Sequence, residues 1–164
     1  LFLGKPIYSI SLVLFSILLS TATGSYFSKR GEVKDIRVLR KRLKTGVTFI
    51  ILILSAYYFF LDKLLIYFLG SDFIIRSIIT FFLLSPVGFF MGFPFPIGIK
   101  FVDHYNRRLI PWVWASNGSA SVVATSLSVM IAITFGFSTV LLISACIYLF
   151  CSIMLSTIGK IDNS

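Results

Sequence analysis

Acidic residues, histidine and cysteine are scarce in this chain. Its 164 residues include six Asp and Glu, one His and two Cys, and only 13% of them are charged. So little charge excludes an ordinary water-soluble domain, which needs a polar shell around its core. The single histidine, His104, has Asp103 beside it in sequence, and no Ser or Cys nucleophile motif accompanies the two. Cys146 and Cys151 fall on one apolar helix at a spacing that turns their side chains apart and is not that of metal ligands. They read as small buried apolar residues. No Walker loop and no GxGxxG follows a strand. The alternating segments of a lipid-facing barrel are absent too. The loops are too short to house a cofactor domain. No cofactor, metal or catalytic residue is therefore assigned, and the chain does not read as a complete enzyme.

What is present is hydrophobic sequence, at 57% of the residues. Several runs exceed the ~20 apolar residues that span a bilayer as helix. The expected fold is all-α, a polytopic membrane helix bundle forming a single transmembrane domain over 1–164. About five spans are expected, at about 6–28, 46–69, 73–98, 111–135 and 139–158. The chain begins with Leu1 rather than Met, so a piece of a longer protein is one expectation. A signal peptide over the first 28 residues is the rival reading, and a first membrane helix is preferred to it.

Small residues repeat on two spans. Ser16, Ser20, Gly24 and Ser28 give the first span a narrow face for close helix approach. The fourth span carries a longer ladder, Ser116, Ala120, Ala124, Ser128, Ala132 and Gly136, which predicts a place in the centre of the bundle. Between spans one and two lies a basic cytoplasmic loop, 29–44. It has eight basic residues against Glu32 and Asp35, with Val33, Ile36, Leu39 and Leu43 at roughly helical spacing. It reads as a topology anchor, with Arg37, Arg40, Lys41 and Arg42, together with Arg107 and Arg108, as a candidate docking surface for lipid or a partner.

The third span is the irregular one. Pro86 removes a helical amide and predicts a kink. Gly88 and Gly92 form a GxxxG step, and Pro94 and Pro96 are expected to end regular helix. The carbonyls of Phe90 and Gly92, freed by those prolines, need partners, and Asn117 is the proposed donor. Trp112 and Trp114 read as interface anchors. Pro86, Gly88, Gly92, Pro94, Pro96, Trp112, Trp114 and Asn117 form the candidate structural or solute site. Asp62 lies about 10 Å inside the second span's outer end. Arg76 is its expected ion-pair partner.

Orientation follows from charge. If the 29–44 loop is cytoplasmic, twelve basic residues fall inside against Lys5, Lys63 and Arg76 outside. The positive-inside rule then places the N-terminus outside and the C-terminus in the cytoplasm, in a plasma or inner membrane. The formal charge of +9 is spent between apolar segments, so no nucleic-acid partner is expected.

Three stretches resemble the membrane-embedded part of fused major-facilitator-like/spermidine synthase-like proteins. LFLGKPIYSISLVLFSILLSTATGSYFSKR is similar to that family's first membrane helix. MGFPFPIGIK is similar to its GMPFPLGLR signature, and PWVWASNGSASVVATSLSVMIAITFGF to its tryptophan, Asn-Gly and small-residue helix. Lys5, Phe93 and Ala124 depart from the pattern, standing where His, Met and Gly are usual. The resemblance implies a membrane domain that anchors or regulates a cytosolic aminopropyltransferase-like domain. That domain's nucleotide motif and catalytic aspartates have no counterpart in this chain. The alternative is a fragment of a major-facilitator-like small-molecule transporter. The implied partners are the lipid bilayer and either that cytosolic domain or further transmembrane helices.

Overall fold

The structure, a computed structural model, describes residues 2–4, 6–29 and 36–161, and side chains as far as residue 155 apart from that of residue 29. Lys5, Arg30, Glu32, Val33, Lys34, Asp35, the side chains of Lys29 and Lys160, and the final three residues lie outside this description. Six helices follow in order: α1 Pro6–Lys29, α2 Ile36–Tyr67, α3 Phe73–Met91, α4 Pro94–Asn106, α5 Ile110–Phe135 and α6 Phe137–Ile161. A single 3-10 turn, Arg107–Leu109, joins α4 to α5. The chain is all-α among the described residues, as its sequence predicts.

Four stretches are long and apolar enough to cross a membrane: Pro6–Ser28, Ile36–Tyr67, Phe73–Phe135 and Phe137–Leu155. The third has 63 residues. Drawn straight it would run about 95 Å at 1.5 Å per residue, three times the ~30 Å hydrocarbon core. It is instead broken after Met91 and again at Arg107–Leu109, so α3 and α5, on either side of the short α4, are separate helices each long enough for a crossing. The protein is therefore a multi-pass membrane bundle. Its surface agrees: Ile133 is 82% exposed and Phe137 81%, as suits an apolar surrounding.

Buried residues are few. The core cluster is Leu39, Leu43 and Val47 of α2 with Ile97 of α4, and Ile51, Phe93, Phe101, Tyr148 and Leu155 pack around it. α2 is thus the central strut. It touches α3, α4 and α6, while α1 lies along α3. The basic segment differs from its expected form as a loop between spans one and two. From Ile36 onward it is continuous with the second span in one 32-residue helix. Leu39 and Leu43, at helical spacing, bury against α4, and that contact holds the segment in line.

α5 overturns an expectation. None of its residues is buried, and Ser116, Ala120 and Ala124 are exposed. It packs on α6, α4 and the 3-10 turn, at the edge of the bundle rather than its centre. The hairpin explains this placement. Gly136, at φ 88° and ψ 162°, is the sole residue between α5 and α6, so α5 must fold back beside α6. Cys146 and Cys151 are exposed on α6 rather than buried.

Candidate functional site

The irregular centre of the molecule is the joint between α3 and α4, and α1 closes one side of it. Gly88 and Gly92 let α1 approach α3 to backbone contact. A Cβ on Gly88 would lie 2.9 Å from Ser20 Cβ, and one on Gly92 would lie 2.7 Å from the Ser25 amide nitrogen. Gly24 is the reciprocal position, where an added Cβ would overlap the Phe89 carbonyl oxygen. Ser16, Ser20, Gly24 and Ser28 are all buried, so the small-residue face of α1 is a packing face. Ser16 donates to the Leu12 carbonyl at 2.6 Å and Ser28 to that of Ser25 at 2.7 Å. Hydroxyls bonded back to their own helix are spent there rather than lining a hydrophilic path.

The break itself is tight. The Gly92 amide donates to the Gly88 and Phe89 carbonyls, and the Phe93 amide donates to Phe90 O at 3.1 Å. The Phe90 carbonyl, left without its usual donor because residue 94 is proline, is thus met by a local i+3 bond. Asn117 is not that donor: it is exposed on α5, and its carbonyl accepts from Ser121 Oγ at 2.8 Å. Regular helix ends at Met91, just ahead of Pro94 and Pro96 as expected, but a new helix then starts at the prolines themselves. Pro94 is the first residue of α4, where a missing amide hydrogen costs nothing.

Aromatic side chains fill the joint. Phe93 packs on Gly46 of α2, its Cβ 3.3 Å from where a Gly46 Cβ would stand. Phe90 stacks on Phe49 with centroids 4.6 Å apart and planes 5° from parallel. About two turns further along α2, Tyr57 donates its hydroxyl to the Leu83 carbonyl, next to the Phe82 carbonyl that Pro86 leaves without its usual donor. α3 remains helical through Pro86. This contact was missed by sequence reasoning; the proline, which frees the neighbouring Phe82 carbonyl, is the signal that α3 backbone here can take an outside donor.

The predicted site residues divide into separate groups. Pro86, Gly88 and Gly92 belong to the α1–α3 contact, and Pro94 and Pro96 start α4. Trp112 and Asn117 are exposed on α5. Trp114 alone reaches back, edge-on to Phe95 at 4.7 Å. No shared cavity collects these residues among the described pockets. The expected Asp62–Arg76 pair is not formed either. Asp62 is exposed, and Arg76 Nη1 donates to the Phe2 carbonyl at 2.9 Å, a contact across 74 residues of chain that sequence reasoning missed.

At the other end, Arg37 and Lys41 are exposed, and Arg40 and Arg42 are half-buried on the first turns of α2. Arg107 lies 3.7 Å from Asp103 in an exposed ion pair, and the Arg108 amide donates to Asn106 Oδ1 at 3.1 Å, forming the turn into α5. Because Ile97 and Phe101 pack with Leu39 and Leu43, α4 and the start of α2 lie side by side. Among the described residues no group of three or more His, Cys, Asp or Glu could hold a metal ion. The geometry describes a packed joint beside a basic helical arm. Compared with protein-family models, with curated proteins and with solved structures, the chain finds no match.

Proposed function

We propose that this chain is a membrane anchor for a cytosolic spermidine synthase-like domain, set in the plasma membrane with its N-terminus outside and its C-terminus in the cytoplasm. The observation that carries the reading is the form of α2. Its 32 residues would measure about 48 Å, some 18 Å more than the hydrocarbon core. The surplus is the basic end, Arg37 to Lys44, held in line by the burial of Leu39 and Leu43. A docking surface benefits from such rigidity, because less ordering entropy is lost on binding. Lys100, Arg107 and Arg108 on the neighbouring segment extend the same positive field. The likeness of MGFPFPIGIK and of the Trp112–Gly136 helix to the membrane part of such fused proteins supports the choice of partner. The small-residue ladder of α5, exposed at Ser116, Ala120 and Ala124, supports a bundle that packs against further transmembrane helices.

The test is co-purification in mild detergent with a spermidine synthase-like domain. Joint reversal of Arg40→Glu, Lys41→Glu and Arg42→Glu is expected to lose the complex while membrane insertion persists. Retention of the complex at wild-type yield, with insertion intact, would count against the reading.

A further inference from the structure

Arg76 is the one buried-nitrogen orphan of the described residues. Its Nη1 is met by the Phe2 carbonyl, but its Nε is buried with no hydrogen-bond partner. No carboxylate among the described residues pairs with it: the acidic neighbour Asp72, one turn away, is exposed and supplies only its backbone carbonyl to the Arg76 amide, at 3.0 Å. A guanidinium carries five donors and never gives up its charge. Among the described residues it therefore has no paired counter-charge.

A cavity of about 400 Å³ begins at the residues that Arg76 contacts, though Arg76 is not itself in its wall. Phe2, whose carbonyl holds Arg76, is part of its wall, and so is Thr80, whose hydroxyl donates to the Arg76 carbonyl at 2.8 Å. The remaining wall is almost wholly apolar, with Val13 from α1 and Leu141 from α6. On α2 it runs from Leu65 to Leu54, about 16 Å at 1.5 Å per residue. That is the depth of one leaflet, half of the ~30 Å hydrocarbon core. Arg76 stands in the first turn of α3, beside the short turn between α2 and α3, which is where headgroups sit.

We propose that this cavity holds one acyl chain of an anionic phospholipid from the leaflet at the α2–α3 turn, with the lipid phosphate on Arg76. Charge selects the occupant. A zwitterionic lipid can fill the slot, but its own cation competes with Arg76 for the phosphate, whereas an anionic one neutralises the guanidinium outright. The chain then completes the packing of α1, α2, α3 and α6 around a space that side chains leave open. The proposal does not depend on the identity of any cytosolic partner.

The full chain, purified in detergent, stripped of lipid and offered phosphatidylglycerol and phosphatidylcholine in equal amounts, is read by native mass spectrometry. Phosphatidylglycerol should be retained about tenfold or more over phosphatidylcholine, the effect of one charge-assisted contact. Arg76→Gln should erase that preference and Arg76→Lys should restore most of it. Leu84→Trp, which fills the slot, should cut retention of both lipids, and excess inorganic phosphate should displace neither. Equal retention of the two lipids by the unaltered chain would overturn the proposal. A folded Arg76→Gln variant that keeps the preference would also do so, as would unchanged retention by Leu84→Trp, which decides the matter if Arg76→Gln does not fold.

Discussion

Gly24 of α1 lies directly against the backbone of Phe89 on α3, where any side-chain carbon on Gly24 would overlap the Phe89 carbonyl oxygen. Backbone cannot retreat as a flexible side chain can, so the helices themselves must part. Gly24→Ala should therefore destabilise the bundle by about 1–3 kcal/mol through overpacking, although alanine is by itself the better helix former. Unfolding in mixed micelles with rising SDS measures it. Gly92→Ala should act similarly, and the double variant should fall short of the sum because both strain one contact. A Gly24→Ala variant as stable as the parent would mean that α1 does not pack on α3 in this register.

Ile97 is fully buried between α4 and the first turns of α2. Ile97→Ala should cost about 2–5 kcal/mol, as other large-to-small core changes do. Its structural effect should be local. α4 should loosen from Leu39 and Leu43 and expose the basic arm, so a protease cutting after Lys and Arg should cleave near Arg37 to Lys44 faster than in the parent. Unchanged cleavage with lowered stability would place the loss elsewhere.

Two glycines on one hairpin should behave oppositely. Gly136 has φ 88° and ψ 162°, backbone that only glycine adopts readily. Gly118 is in mid-helix, and a Cβ added to it meets nothing within 4 Å. Gly136→Ala should destabilise by about 1–3 kcal/mol. Gly118→Ala should stabilise the isolated chain by up to about 1 kcal/mol through helix propensity. If Gly118→Ala instead abolishes association with further helices, the face of α5 opposite its small-residue ladder is an interface in the assembled protein.

The hydrophobic runs made the helices and their approximate ends readable from sequence, since a bilayer demands long apolar helix and little else. Serines and glycines four apart on α1 also announced a real contact. The same pattern on α5 misled, because a small-residue ladder says that a helix can be approached closely without saying what approaches it. Asn117 was assigned to the carbonyls at the α3–α4 break on proximity in sequence. Local turns met the Phe90 carbonyl first, and the helix that stopped ahead of Pro94 resumed at once from it as α4. Arg76 was matched with Asp62 because both are charged and near in sequence. A backbone carbonyl from Phe2, invisible to any pattern of side chains, took that place. The small-residue faces of α1 and α3 that pack together were legible, and the polar partners chosen across the fold were not.

The claim on which the account rests is that α3 crosses the membrane, separating the α2–α3 turn from the α4–α5 turn. It is tested most directly by labelling single cysteines with a membrane-impermeant maleimide, after Cys146→Ala and Cys151→Ala remove the native thiols. Ser71→Cys should be labelled in intact cells, and Asn106→Cys only after the membrane is permeabilised. Labelling of both from the same side would contradict the crossing, and labelling of Asn106→Cys alone in intact cells would contradict the cytoplasmic placement of the basic arm.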